Sequence, residues 1–314
     1  MIVEFVDSDF ASDCSEARRK VEERSCLEHL GKGSLATVDL VSIDGETYVI
    51  KCMPYSSADK EKMGRIENEV KVIHHLMQSR PSSPLFHPRY LAAIMIEGGG
   101  SQTVVIVMEH EAEAVTLHRL ICSGPLDEPT ARGIIKQVAM ALGRMHEIGH
   151  CLVDLKPENV LLRPSSSHPA VRLIDFDLSR PLNGPALGEE EKIFGTLEYL
   201  SPELIDKTGT YSTASDFWAL GILSYECLYG QTPFAADTIE RVFYAISNRA
   251  PQFPHSADLS FNCTSFIRGL LRHKTEYRLG SKGGVSEVLS HLWLATDSLT
   301  DHLRARRLRF KSDS

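Results

Sequence analysis

The spacing of apolar residues is mostly strand-like in the first third of this chain and helical in the rest, and that limits the folds open to it. From Leu27 to Met53 the pattern reads strand, glycine turn, strand, a turn at Asp44-Gly45, strand. A helical stretch follows, with Met63, Ile66, Val70, Ile73 and Met77 on one face and Ser57 placed to cap it. Another strand pair flanks Gly98-Gly99-Gly100 and ends in the apolar run to Met108. From Thr116 onward helices dominate, over 117–122, 128–147, 214–229, 238–248 and 265–271. A strand-rich first third joined to a helical remainder predicts an α+β chain of two lobes with a cleft between them.

At 314 residues the chain can bury a large core, and 42% hydrophobic with 24% charged residues is ordinary for a globular protein. The net charge of −8 argues against a nucleic-acid partner for the domain as a whole. No apolar run approaches the roughly 20 residues of a membrane span, so no transmembrane segment is expected. The acidic start, without a cationic n-region, does not read as a signal peptide. Seven cysteines lie scattered without a Cys-x-x-Cys pair, which fits reduced thiols inside a cell, in the cytoplasm or nucleus. Cys151, three residues before Asp154, reads either as an electrophile-reactive thiol or as an inert semi-buried one.

The chemistry-bearing residues concentrate in Asp154-Leu-Lys-Pro-Glu-Asn159 and Asp175-Phe-Asp177. Moving a phosphoryl group requires a positioned nucleophile and neutralised charge on the transferring oxygens. Asp154 can take a hydroxyl proton, Lys156 can screen a terminal phosphate, and Asn159 with Asp175 can hold a divalent cation. Upstream, Gly31-Lys32-Gly33-Ser34-Leu35-Ala36-Thr37-Val38 is a glycine turn whose backbone could approach phosphates. Strand-type residues follow it, which disfavours a dinucleotide fold.

Taken in order, these motifs resemble those of the eukaryotic protein kinases, of the serine/threonine type because Lys156 stands two residues after the base. Over residues 27–293 the resemblance extends to Tyr48-Val-Ile-Lys51, Gly195-Thr-Leu-Glu-Tyr, Ser201-Pro-Glu203, Asp216-Phe-Trp-Ala-Leu-Gly and Arg278. It implies a bilobal kinase fold: a 1–26 extension, an N-lobe at 27–110, a C-lobe at 111–296 and a basic tail at 297–314. It further implies that ATP is used with Mg2+, or Mn2+, on protein substrates. The implied catalytic set is Asp154, Lys156, Lys51 and its partner Glu69. The metal ligands are Asn159 and Asp175. The implied nucleotide-binding set is Gly31, Lys32, Gly33, Ser34, Val38, Val49, Lys51, Met108, Glu109, Glu111 and Leu161, with Met108 as gatekeeper before the 109–111 connection. Thr196 would position substrate, Asp216 would hold the catalytic loop, and Arg278 would pair with Glu203.

Arg278-Leu-Gly-Ser-Lys-Gly-Gly-Val and His291-Leu-Trp-Leu resemble the end of the AGC group, most similar within it to the phosphoinositide-dependent kinases. Glu226 and Glu158 occupy positions where basophilic members read arginine upstream of the target Ser or Thr. The other reading of Glu226 is an exposed helix glutamate.

Three departures stand against the pattern. Leu152-Val153 replaces the usual His-Arg, which removes the receptor for an activation-segment phosphate, and Lys192 falls where the phosphorylated residue would be. An ordering role for Glu189, Glu190 and Glu191, or an activating or scaffolding partner, would then replace that phosphate. Asp177 stands where a glycine is usual, at an expected backbone cost and close to the metal ligand. Asp177 and Val153 are the features that would make the chain a pseudokinase, binding nucleotide or acting as a scaffold. Arg304, Arg306, Arg307, Arg309 and Lys311 form a basic tail suited to an acidic partner or to solvent.

Overall fold

The computed structural model describes residues 2–56, 58–78, 86–98, 101–165, 169–182, 184, 193–254 and 259–295. Ser57, the 189–192 run and the basic tail lie outside the described residues. The chain divides into two units, Met1–Ala112 with Asp175–Ser179, and Glu113–Ile174 with Arg180–Ser314.

The first unit is built on an antiparallel sheet. Its strands are β1 (Phe5–Val6), β2 (Ser25–Lys32), β3 (Thr37–Ile43), β4 (Glu46–Tyr55), β5 (Tyr90–Gly98) and β6 (Ser101–Glu109), in the order β1-β5-β6-β4-β3-β2. The strand alternation is clean. Ile50 pairs in register with Val107 and Cys52 with Val105, and these face one core cluster. Lys51, between them, projects from the other face.

Helix α1 (Cys14–Glu22) covers the Ile50 face, burying Ala17 and Val21 together with Phe10 and Ala11 against Val41, Leu91 and Ile94. Residues 2–24, part of the 1–26 stretch expected as an extension ahead of the lobe, are therefore folded into the first unit: β1 adds an edge strand and α1 closes a sheet face. Helix α2 (Lys60–Gln78) lies on the Lys51 side and buries Ile66, Val70, Ile73 and Leu76. Its first turn is capped by Asp59, whose carboxylate accepts from Lys62 N–H at 3.0 Å.

The second unit contains α3 (Leu117–Cys122), α4 (Glu128–Glu147), α5 (Pro202–Ile205), α6 (Thr213–Tyr229), α7 (Ile239–Asn248), α8 (Phe261–Leu270), α9 (Gly284–Ser290) and α10 (Leu292–Ala295). Short strands β7 (Val115–Thr116), β8 (His150–Cys151), β9 (Val160–Arg163), β10 (Ala170–Leu173) and β11 (Arg180–Pro181) carry the connecting loops. Helix α6 is apolar on nearly every side, the signature of a helix buried all round, and it packs on α4 and α8. A reciprocal Ser212–Ser215 capping box starts it and Gly230, at φ 71°, ends it. Gly221 within α6 is required by contact, since a Cβ there would sit 2.8 Å from the Leu271 side chain. Arg278, 1% exposed, makes a fork to Glu203 at 2.7 and 2.9 Å and also donates to Ala214 O, so the buried ion pair predicted between them is present.

Candidate active site

In the first unit, β4 delivers Lys51 and the middle of α2 delivers Glu69. Lys51 Nζ lies 2.6 Å from Glu69 Oε1 and 2.8 Å from Asp175 Oδ1, so three of the predicted residues meet. Burial alone would lower the Lys51 pKa, but the two carboxylates beside it outweigh that and hold the ammonium charged well above its usual range. Burial raises Glu69 to about 7 against the pull of Lys51, and the like charge of Asp175 adds to the rise. Glu69 Oε2 is buried without a hydrogen-bond partner.

The nucleotide-binding candidates of this unit fall along the same strands. Val38 pairs in register with Lys51, and Val49 with Met108. Gly31 and Lys32 end β2. Gly33 N–H closes its own turn on Ala36 O at 2.9 Å and so is already committed. Neither Gly31 nor Gly33 takes a positive φ, and a Cβ at Gly31 would meet nothing within 4 Å; what these glycines preserve is open space. Glu109 N–H donates to Arg89 O at 2.9 Å, and the Glu109 carboxylate accepts from Arg89 at 3.0 Å. Glu109 can therefore offer a base its carbonyl but not its amide.

Asp177 departs from expectation. It does not occupy the left-handed region, so no backbone cost arises there; Asp175, at φ 70°, carries the positive φ instead. The Asp177 side chain is buried and ion-paired with Arg65 of α2. Burial, followed by the neighbouring Asp175 charge, pushes its pKa up, while Arg65 opposes both. Arg65 and Asn68 were missed in the sequence. Their only signal there is helical spacing from Glu69, at i−4 and i−1.

In the second unit, the loop after β8 carries Asp154, 6% exposed. Its Oδ1 accepts from Thr196 Oγ1 at 2.8 Å and its Oδ2 from Lys156 Nζ at 2.6 Å. Asn159 Nδ2 donates to Asp154 O at 2.9 Å and to Oδ2 at 3.2 Å. With its nitrogen so occupied, the Asn159 side-chain oxygen is the atom left for a cation. That oxygen in the second unit and the Asp175 carboxylate in the first are each hard donors of the kind Mg2+ prefers.

Asp216 of α6 supports the loop as predicted. Its carboxylate accepts from Leu152 N–H at 2.9 Å, Val153 N–H at 3.0 Å and the His146 ring at 2.8 Å. These bonds hold Val153 at φ 73°, an unusual conformation for a β-branched residue. Leu161 lies on β9, in register with Arg172 and Thr116. Glu226 accepts from the Tyr199 hydroxyl, and Glu158 lies 3.4 Å from His118. Cys151 is fully buried, donates to Arg180 O at 3.3 Å, and has its thiol pKa pushed up by burial, so the inert reading holds.

Residues 24–294 match the Protein kinase domain family. The chain belongs to that family, and it is a protein serine/threonine kinase whose class uses ATP with a divalent metal on protein substrates. It is 30% identical over 278 residues to calcium/calmodulin-dependent protein kinase type 1B of Rattus norvegicus, covering 87% of this chain and 76% of the relative. It is 28% identical to a probable cAMP-dependent protein kinase catalytic subunit of Encephalitozoon cuniculi, covering 87% and 80%. It is also 27% identical to serine/threonine-protein kinase UCNL of Arabidopsis thaliana, covering 91% and 83%. No helix among the described residues is long and apolar enough to cross a membrane.

Proposed function

We propose that this chain transfers the γ-phosphoryl group of ATP to Ser or Thr hydroxyls of protein substrates, with Asp154 as the base. The observation that carries this reading is Lys51 seated between Glu69 and Asp175 at 2.6 and 2.8 Å. An ammonium so held is preorganised to meet phosphate oxygens without reorganising as charge develops. Asn159 and Asp175 would hold Mg2+, or Mn2+, which when bound neutralises charge on the phosphates. Thr196, bonded to Oδ1 of Asp154, aims that carboxylate; Lys156, on Oδ2, screens it and stands ready for the terminal phosphate. The adenine would lie among Val38, Val49, Met108 and Leu161, reading the backbone of Glu109 and Glu111.

The Arg278-Leu-Gly and His291-Leu-Trp-Leu patterns support an AGC-like assignment, near the phosphoinositide-dependent kinases. Glu226 and Glu158 support a preference for substrates with upstream arginine. Reduced cysteines support an intracellular setting.

Two sequence departures bear on the pseudokinase alternative, and the structure gives Asp177 a partner of its own. The test is incorporation of labelled ATP into peptide by the purified chain and by Asp154→Asn. Loss of a general base costs about 10²–10⁴-fold in turnover. Transfer that Asp154→Asn abolishes supports the enzyme. Nucleotide-induced thermal stabilisation with no transfer by the unaltered chain overturns it in favour of the scaffold.

A further inference from the structure

Arg65, Asn68 and Asp177 have no assigned part in phosphoryl transfer, yet they are tied together beside the residues that do. Positions 65, 68 and 69 share one face of α2. Glu69 reaches Lys51, and Lys51 reaches Asp175, the residue before Phe176. Arg65 reaches Asp177, the residue after it. Between these two ion pairs, Asn68 Nδ2 donates to Ser179 O at 2.8 Å, with Phe176 O at 3.3 Å and Asp177 O at 3.4 Å. The ring of contacts is closed: strand lysine, helix glutamate, one helical turn, helix arginine, and back through the 175–179 segment to the same lysine.

We propose that Arg65, Asn68 and Asp177 are positioning residues that lock α2 to the 175–179 segment, so that the Glu69–Lys51–Asp175 geometry is built in. The proposal deepens the kinase reading and rests on it. Two features argue that the lock is more than a surface pair. Asp177 is 4% exposed, and a buried carboxylate is tolerated only when it is paired. Arg65 Nε is itself buried without a hydrogen-bond partner, so the guanidinium is drawn inward for the contact its Nη2 makes.

Charge supplies the mechanism. Glu69, Asp175 and Asp177 are three carboxylates sharing two cations. With Arg65 present, Asp177 is neutralised locally and Lys51 is left to the other two. Without it, Asp177 becomes a third claimant on Lys51, two residues from the proposed metal ligand. The carbonyls taken by Asn68 fix the backbone of the same segment. The departure at 177 is thereby matched by a residue of opposite charge, 112 positions earlier, on the helix that carries Glu69.

A double-mutant cycle on the full chain tests this, comparing Arg65→Met, Asp177→Asn and the double variant, with Arg65→Lys as the conservative control. Two readouts are needed: kcat with labelled ATP, and amide hydrogen exchange across 62–76 and 174–179. We expect Arg65→Met alone to lower kcat about tenfold or more, but less than about twofold in the Asp177→Asn background. Exchange across α2 should quicken about tenfold while α6 is unchanged. Arg65→Lys should retain most of the activity. Equal losses in both backgrounds, unchanged exchange in α2, or faster exchange throughout both units would overturn the lock. If the unaltered chain transfers no phosphate, the kinase reading fails by itself, and the exchange cycle still decides whether the lock exists.

Discussion

Two ways of holding a charged residue stand out, one in each unit. In the first, the charged groups are joined side chain to side chain: Lys51 with Glu69 at a separation of 18 residues, Arg65 with Asp177 at 112, Lys51 with Asp175 at 124. In the second, Asp216 takes two main-chain amides and a histidine into a carboxylate that is 1% exposed. The first arrangement holds only while α2 and the 175–179 segment stay docked, which the Arg65 and Asn68 contacts favour. Amides bonded to a buried carboxylate have nowhere else to go, so the second fixes its loop. It does so even though Val153 takes a positive φ, a conformation that costs of order ~1–3 kcal/mol. Side-chain charge pairs tie distant segments together; backbone bonds to a buried carboxylate fix a single loop.

That contrast breaks if a change in each unit has the same kind of consequence. Asp216→Asn replaces one acceptor oxygen by an amide group that faces a donor. We expect it to lower unfolding stability by ~1–3 kcal/mol, the usual cost of leaving a buried donor unsatisfied. Denaturant unfolding would show a fall in midpoint, and turnover would fall with it as Val153 relaxes and Asp154 shifts. Arg65→Met strands the buried Asp177 carboxylate, so its midpoint should fall too, but its loss of turnover should be relieved by Asp177→Asn, which no second change is expected to do for Asp216→Asn. A stable Asp216→Asn chain with full activity would remove the distinction between the two units.

Much of this was legible beforehand, and what was legible has a common character. Asp154, Asn159, Asp175, Asp216, Glu203 and Arg278 stand in ordered motifs, where chemistry fixes residue type and spacing together. Helices 117–122 and 128–147 were readable to the residue because Thr116 and Asp127 cap them and their apolar period is strong. The role of residues 2–24 was not. Strand β1 has two residues, too few to show alternation, and α1 is so polar that Ala17 and Val21 are its buried residues. In sequence Asp177 presents as a backbone problem, because a missing glycine is visible there and a guanidinium 112 residues away is not. By residue type Ser57 suits the α2 cap, but Asp59, two residues later, suits it as well and accepts from Lys62 N–H.

A second way to sharpen the contrast is pH, because Glu69 of the first unit is raised toward neutrality. Burial raises Glu69 from 4.5 to about 7. A carboxyl with a raised folded pKa keeps its proton longer in the folded state than in the unfolded one. Its contribution to stability is therefore complete below pH 4.5 and is lost as pH rises toward about 7. Activity should run the other way, since the Lys51–Glu69 ion pair is completed only as Glu69 ionises. We expect turnover to rise through about pH 7 while the melting temperature declines slightly, and Glu69→Gln to show low turnover without that limb. A limb that survives in Glu69→Gln belongs to some other group.

The smallest effect concerns substrate choice, where Glu226 lies between the two types of contact. It is a side chain that could pair with a substrate guanidinium, yet one oxygen already accepts from the Tyr199 hydroxyl. Burial raises its pKa and the Tyr199 hydrogen bond opposes the rise, so the carboxylate is partly desolvated and partly satisfied. An arginine arriving there finds one uncommitted oxygen and must either accept single-point contact or displace the tyrosine. A bidentate pair would be worth more than an exposed ion pair, which contributes about 0.2–1 kcal/mol, so a committed Glu226 points to the lower range. We therefore expect Glu226→Ala to reduce the preference for arginine over alanine upstream of the target by about two- to fivefold, and Tyr199→Phe to increase it. Peptide competition assays measure both. If Glu226→Ala leaves the ratio unchanged, arginine is not read at this position. If Tyr199→Phe lowers the ratio, the hydroxyl orients Glu226 for its substrate and does not compete with it.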